Sequence, residues 1–398
     1  MTDPLGQSQV IPYLKGLTEM GHAFHLISCE KYAAKSDEYK NIQVLLDKYK
    51  ITWHPICYTS KPPVISTLFD IWKISKAAIK IIRKNKIEVI HCRGYISALI
   101  GLKMKKRFGV KFIFDMRGFF ADERVEGGLW NLKNPLYNYI YKYFKKKEAI
   151  FFVSAEYSVS LTEKAKSIIQ SWDLPGQPVP VDVIPCCADL EHFKRENVEE
   201  SIRKKWKQKL EIQDHDFILS YLGSVGTWYM LDEMLDFFKV LMLKYANTKF
   251  LFITPDNPRE ILIKAASRNI PKEKIIVQKV SRSEVPVLLS LSKVSIFFIK
   301  PVFSKKASSA TKMGEIMGMG IPLICNSDVG DVDAIMNDAK AGIVLDAFNN
   351  NEYQKAVDKI EEVLEISPDD IRSYAKKYYS LDDGVEKYNS IYKKLSLQ

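Results

Sequence analysis

The chain has 398 residues, a length that suggests two domains rather than one core. With 46% hydrophobic and 27% charged residues it reads as globular, and it has neither an apolar window long enough to span a bilayer nor an N-terminal signal region. Its six cysteines form no C-x-x-C pair and no His/Cys cluster, which argues against structural zinc and for reduced thiols in the cytoplasm.

In chain order, the opening Met1-Thr2-Asp3-Pro4-Leu5-Gly6-Gln7-Ser8-Gln9 reads as a loop. Short apolar strands then alternate with amphipathic helices, the pattern of a parallel α/β architecture. Strands are expected at 25–28, 89–92, 111–114 and 149–153, a helix from about Thr162, and a closing strand at 183–185. His22 suits a structural position ahead of the first of these. Arg93 ends one strand, and the run from Phe114 to Arg124 packs five charges around aromatics directly after another. Ligands bind at that C-terminal edge of a parallel sheet, so Arg93, Arg117, Asp122 and Arg124 are candidates for holding a sugar or phosphate of an acceptor. The plainer reading of the same charges is an internal salt-bridge network.

The net charge of +11 sits almost wholly in this half: residues 1–190 carry 28 Lys+Arg against 18 Asp+Glu, and the rest carry 31 against 30. Lys103, Lys105, Lys106 and Arg107 form one basic cluster. Lys142, Lys145, Lys146 and Lys147, interleaved with Tyr137, Tyr139, Tyr141, Tyr143 and Phe144, form another. The second suits peripheral contact with an anionic membrane, against the plainer reading of a solvated helix face. No nucleic-acid motif accompanies the charge.

Residues 196–212 are charged and lack strand character, as a linker and a new first helix would. A second strand series follows at 218–222, 250–253, 275–277, 294–298 and 322–325. The expected fold is therefore two Rossmann-like, doubly wound domains facing a ligand-binding cleft. Their limits are placed at 1–195 and 196–375, with 376–398 part of a helical tail, Asp370 to Leu395, that packs back on the first domain.

Two segments of the second half carry chemistry. After a strand comes Gly223-Ser224-Val225-Gly226-Thr227-Trp228-Tyr229, where glycines allow close backbone approach and amides can meet phosphate, although a tight turn alone needs the same residues. Further on, Ser308, Ser309 and Thr311 stand where a helix begins, with free N–H groups and a positive dipole end. Lys312 adds a cation for a phosphate, and Glu315, about one turn later, can accept hydrogen bonds from a ribose diol. An ordinary capped helix is the plainer alternative. Val280, at a strand end, is placed to bring backbone groups to a nucleobase. Asp331 and Asp333 could suggest metal-binding carboxylates, and a loop after a strand explains them equally well. The absence of a G-x-G-x-x-G or Walker A motif weighs against NAD and ATP.

The run from Lys306 to Ile324 resembles the donor-binding signature S-x-P-T-K-L-x-E-Y-L-A-x-G-x-P-V-I of family 4 retaining glycosyltransferases of GT-B fold. Glu315 matches the second of that family's two glutamates, Ala307 stands at the first, and Ala310 replaces the proline. The Gly223–Gly226 segment matches the family's second glycine loop, with Thr227-Trp228-Tyr229 where many relatives have an Arg and a Lys. Arg117-Gly118 stands where relatives often have His-Gly. The segment from Ile184 to Asp189 resembles I-P-x-G-V-D, with Cys187 for the glycine, and the likeness runs on to Ser380–Glu386. In that family the Gly6 loop follows a first strand and faces the donor phosphates, so the first strand is expected to be missing, within a segment of about ten residues ahead of Met1.

The resemblance implies a hexosyltransferase-type enzyme that needs no metal and no cofactor, with a nucleoside diphosphate sugar, UDP-sugar favoured, as co-substrate. It implies transfer with retention to a glycan or lipid-linked acceptor in bacterial surface polysaccharide synthesis, such as O-antigen or capsule, in the cytoplasm and peripherally on the inner face of the membrane. Lys312 and Glu315 would be the catalytic pair, and Gly6, Gly223, Ser224, Gly226, Thr227, Val280, Ser308, Ser309 and Thr311 would bind the donor. A GT-B sugar-nucleotide epimerase and a non-catalytic nucleotide-binding or scaffold protein are the alternatives.

Overall fold

A computed structural model describes residues 1–31 and 36–396. The chain divides into two compact units, one of Met1–Pro185 with Leu381–Gln398 and one of Cys186–Ser380. The divisions thus fall at Pro185 and Ser380, where the sequence placed them at 195 and 375.

In the first unit α1 (Pro4–Gln9) and α2 (Ile11–Glu19) lead into β1 (His25–Glu30), α3 (Asp37–Lys48), β2 (Thr52–Cys57), α4 (Ile65–Lys84) and β3 (Val89–Arg93). There follow α5 (Tyr95–Phe108), β4 (Lys111–Asp115), α6 (Phe120–Glu126), α7 (Pro135–Ser154), β5 (Tyr157–Ser160), α8 (Glu163–Gln170) and β6 (Val181–Val183). The strands form two parallel sheets, β1-β2 and β3-β4-β5-β6.

The second unit runs through α9 (Glu200–Lys209), β7 (Phe217–Leu222), α10 (Leu231–Lys244), β8 (Thr248–Ile253), α11 (Pro258–Ala266), β9 (Ile275–Gln278), α12 (Val285–Leu289) and β10 (Val294–Ile296). It continues with α13 (Thr311–Gly318), β11 (Leu323–Asn326), α14 (Val332–Ala339), β12 (Gly342–Leu345), α15 (Asn350–Asp358), α16 (Ile360–Leu364) and α17 (Pro368–Tyr379). Its six strands are all parallel, in the order β12-β11-β10-β7-β8-β9. Every residue of the central β7 is buried, as a strand covered by helices on both faces requires. A final helix, α18 (Leu381–Ser396), belongs to the first unit. The architecture is α/β, with two Rossmann-like units.

Three sequence expectations are corrected. The run at 149–153 is not a strand but the end of the 20-residue α7, which starts at the Asn134 cap and buries Phe144, Glu148, Phe151 and Phe152 on one face. Five apolar residues alone do not distinguish the two periods, and the strand itself comes next, at Tyr157–Ser160. The opening is not a loop either. Pro4 and Pro12 sit in the first turns of α1 and α2, where a missing N–H costs nothing. Gly6 therefore lies inside a helix, where an added Cβ would stand 2.7 Å from Met1 Cα. Finally, the helical tail is two helices, α17 and α18, broken at Ser380. Two strands, β2 and β12, were not read from the sequence at all. Among the described residues no helix is long and apolar enough to cross a membrane.

Candidate functional site

The best-developed site lies in the second unit, beyond the C-terminal end of β7. The chain leaves that strand through Gly223, at φ 109°, a conformation that glycine adopts without steric cost. The turn brings its backbone against Lys312 from α13: a Cβ at 223 would meet Lys312 Nζ at 3.1 Å. Lys312 is 7% exposed. Its Nζ donates to the Tyr221 hydroxyl at 3.0 Å and lies 3.6 Å from the centre of the Tyr229 ring and 4.2 Å from that of Tyr221. Burial pushes the ammonium well below the usual lysine range, against the opposing pull of Glu315. A buried lysine held toward its neutral form is a group that gains from a bound anion.

Glu315 lies almost one turn further along α13, also buried. Its Oε1 accepts from Arg282 Nη1 at 3.1 Å, with the Arg282 side chain itself 42% exposed. Burial raises the Glu315 carboxyl, while Arg282 and Lys312 work against the rise. Val280 stands two residues before Arg282, and Ser281 closes a capping box with Glu284. Arg282 was not read as a site residue, and its separation of 33 residues from Glu315 left no local signal.

The turn before α13 is built as expected in part. No side chain caps the helix; Ala310 holds that position, so the first-turn amides are left without a side-chain acceptor. Ser309 Oγ is engaged, accepting from Cys186 N at 3.1 Å, while Ser308 and Thr311 are half-buried. Ala307, where relatives carry a glutamate, is fully buried. In the glycine loop Ser224, Gly226 and Thr227 are exposed, but the Val225 amide donates to Asp256 Oδ2 at 2.6 Å. Asp256 is a second residue the sequence did not single out; it follows β8 at the same edge of the sheet.

The acceptor candidates fall into two groups in the first unit. Arg93 and Arg117 converge on Asp115, at 3.5 and 3.6 Å, with His91 Nε2 at 3.5 Å and the Tyr388 hydroxyl donating at 3.1 Å. Asp115 has no solvent exposure. Burial would raise its carboxyl, but Arg117, His91 and Arg93 together hold it well below the usual range. Arg117 has a φ of 60°, unusual for a non-glycine residue. Asp122, by contrast, accepts from Tyr141 and from Lys145, both at 2.9 Å, and Lys145 also bridges to buried Glu148 at 2.6 Å. That is the salt-bridge network of the plainer reading, and it turns one lysine of the second basic cluster inward. Arg124 is exposed and stacks on Phe120 at 5.1 Å. Asp115 was missed because a carboxylate ending a strand looks like any other; Tyr388 lies 273 residues away.

Comparison with known proteins bears on this arrangement. The sequence model of Glycosyltransferase Family 4 matches residues 8–192, and that of Glycosyl transferases group 1 matches residues 202–378. No curated protein sequence matches significantly. Among solved structures, a glycosyltransferase from Rickettsia africae aligns at a TM-score of 0.71 with 17% identity over 97% of this chain and 93% of its own. Anabaena Alr3699/HepE, solved with UDP and glucose, gives 0.69 and 9% over 98% and 96%. WaaG, a glycosyltransferase involved in lipopolysaccharide biosynthesis, gives 0.63 and 14% over 96% and 94%.

Proposed function

Because the chain belongs to the GT4-like glycosyltransferases of GT-B fold, we propose that it transfers a sugar from UDP, with retention, to a glycan or lipid-linked acceptor in the synthesis of a bacterial surface polysaccharide. The observation that carries this reading is the buried Lys312 pressed between Gly223, Tyr221 and Tyr229, one turn from Glu315. Lys312, the α13 amides near Ser308, Ser309 and Thr311, and the exposed part of the Gly223–Thr227 loop are the groups proposed to hold the diphosphate. Glu315, oriented by Arg282, takes the ribose hydroxyls, and the backbone at Val280 takes the base. The UDP complex of the Anabaena protein is consistent with the choice of nucleotide.

In the proposed reaction the bond from the anomeric carbon to the diphosphate breaks as the acceptor oxygen attacks the same face. The acceptor proton passes to the departing diphosphate oxygen, and the negative charge gathering there is met by Lys312. In the first unit Arg93 and Arg117 offer cations to an anionic group of the acceptor, and the basic clusters suit peripheral contact with the inner face of a membrane.

The test is calorimetric titration of UDP, GDP, ADP and NAD against the full chain and its Glu315→Ala variant. Selective binding of UDP, weakened about tenfold or more in the variant (about 1.4 kcal/mol), is expected. Absence of any diphosphate binding by the folded protein overturns the reading. Anomeric analysis of the product then decides retention.

A further inference from the structure

Helix α4 carries its polar and apolar residues in an inverted order. Residues 61–87 hold seven Lys and Arg against one acid, and that acid, Asp70, is buried. It pairs with Lys73 at 2.7 Å and accepts from the Thr59 amide at 3.1 Å. Ile71, Ile74 and Ile82 share the inner side, in one apolar cluster with Ile100 and Met104 of α5. At the three- and four-residue spacing of the opposite face stand Ile65, Leu68, Phe69 and Trp72, between 49% and 64% exposed. A helix lying on a protein core ordinarily presents polar side chains there. The first turns of α4 are apolar on both sides.

The exposed residues form one patch and not a scatter of single side chains. The Phe69 and Trp72 rings stack, with centres 5.6 Å apart and planes at 17°. Lys73 Nζ lies 4.9 Å from the centre of the Phe69 ring and Lys76 Nζ 3.8 Å from that of Trp72. Over the next three turns the outward face changes character, to exposed Lys76, Lys80 and Arg83. The neighbouring α5 ends in exposed Lys106 and Arg107. Cations near the end of a helix suit its dipole, which accounts for the basic turns. The dipole gives no reason for large apolar side chains in water at the other end.

The stretches from Ile65 to Trp72 and from Lys76 to Arg83 each run about 10 Å, at about 1.5 Å per residue. The face is therefore a gradient along the helix axis, apolar and then cationic, with an indole at the boundary. A bilayer presents the matching series of acyl chains and headgroups, and tryptophan concentrates between them. A second copy of this chain would bring the same excess of cations to the patch, whereas an anionic bilayer supplies the complementary charge.

We propose that α4 is the surface by which this chain docks on an anionic bilayer, with Leu68, Phe69 and Trp72 among the upper acyl chains and Lys76, Lys80 and Arg83 on the headgroup phosphates. The apolar residues reach about 5–10 Å into the boundary between headgroups and chains, and the lysine stems extend back toward water. The inference rests on the peripheral membrane contact proposed above and gives it a seat on α4, with an inserted apolar part. The rival seat is α7, where the sequence placed the contact and where Leu136, Tyr139 and Tyr143 are exposed.

The experiment is flotation of the full chain with vesicles of phosphatidylcholine and phosphatidylglycerol. Phe69→Ser combined with Trp72→Ser is expected to weaken binding about tenfold or more, with circular dichroism unchanged because both side chains already stand half in water. Trp72→Phe keeps the apolar bulk and serves if the double variant unfolds. It is expected to bind as the native chain does but to lose most of the fluorescence quenching by brominated acyl chains, although five of the six tryptophans remain. Lys80→Gln combined with Arg83→Gln is expected to cost about thirtyfold on these vesicles, about fivefold for each cation, and nothing on phosphatidylcholine alone. Native binding and quenching in the α4 variants, with binding lost in Tyr139→Ser combined with Tyr143→Ser, overturns the proposal, moves the seat to α7 and leaves the membrane contact standing. Failure of the native chain to float with any vesicle overturns the proposal and the membrane contact together. Self-association that the Phe69/Trp72 double variant abolishes, with no flotation, overturns it in favour of a second copy on this face. None of these readouts involves nucleotide, so the transfer reaction is tested apart from them.

Discussion

Replacing Lys312 by methionine is expected to move stability and affinity in opposite directions. The native ammonium has one hydrogen bond, to the Tyr221 hydroxyl at 3.0 Å, and two ring contacts at 3.6 and 4.2 Å. Contacts with a ring are worth about 0.5–2 kcal/mol each, whereas removing a charge from water costs several kcal/mol. Burial holds the lysine well below its ordinary range against the opposing pull of Glu315, and a desolvation cost of several kcal/mol exceeds what the ring contacts return. Methionine keeps the stem and removes the cost, and the Tyr221 hydroxyl retains a partner in the Ser224 carbonyl. We expect Lys312→Met to raise the unfolding free energy by about 1–2 kcal/mol at pH 7, measured by urea titration with Trp206 and Trp228 fluorescence. Between its depressed native value and the ordinary value near about 10.4, the unfolded chain holds a proton that the native lysine does not. The stability of the native protein therefore rises with pH across that window, and the advantage of the variant shrinks. UDP affinity is expected to fall about 10- to 150-fold, the worth of a charged hydrogen bond of about 1.5–3 kcal/mol. Bound diphosphate restores the proton to Lys312, so calorimetry in buffers of different ionisation enthalpy should show proton uptake in the native protein only. A destabilised variant that binds UDP as tightly, with the same proton uptake, would refute this reasoning.

Arg282→Ala removes a group that opposes the burial-driven rise of the Glu315 carboxyl. The midpoint of its infrared carboxyl band is expected to move to higher pH, and stability to decline more steeply as pH rises through it; an unchanged midpoint would contradict the pairing. Asp115→Asn leaves Arg93 and Arg117, 31% and 15% exposed, without their shared counter-ion. Partial exposure puts the expected loss near the low end for a broken buried pair, about 3 kcal/mol at pH 7. The Asp115 carboxylate contributes its stability above the ordinary carboxylate range and loses it as pH falls through its depressed native value, which acid titration of the native protein against the variant checks. Asp256→Asn withdraws a negative charge from the glycine loop while keeping an acceptor for the Val225 amide. With the diphosphate on that loop, as proposed, UDP should bind about two- to tenfold more tightly, with the gain fading as salt is added. A weaker complex would assign Asp256 to holding the loop in shape.

What was legible in the sequence follows how local each signal is. Five of the six second-half strands stood out because a sheet covered on both faces demands largely apolar runs, as in Phe217–Leu222 and the later part of Thr248–Ile253. The helix bearing Lys312 and Glu315 was equally plain, since a spacing of three residues puts both on one face whatever surrounds them. The run at 149–153 misled because its five residues suit a strand, while the helical period that claims them is spread over lysine-rich residues upstream. β2 escaped because Pro55 interrupts it; a two-stranded sheet tolerates that loss of a donor where a central strand would not. Arg282 with Glu315, and Tyr221 with Lys312, meet only through the folded sheet, so no window of the sequence contains either pair.

The same distinction explains how the site accommodates its departures from the family signature. Thr227-Trp228-Tyr229 stand where relatives place an arginine and a lysine, and read alone they suggest a phosphate loop short of cations. In the structure those aromatic rings are themselves seats for cations supplied from elsewhere: Lys305 Nζ lies 3.8 Å from the centre of the Trp228 ring and Lys312 Nζ lies 3.6 Å from that of Tyr229. Both lysines are nearly buried, at 6% and 7% exposure. A lysine fixed against a ring surrenders little further side-chain entropy when an anion arrives, unlike one free in solvent. The groups that can offer positive charge to an anion thus come from the segment that ends in α13 and not from the glycine loop, and the aromatic residues that look like a loss fix those side chains in place.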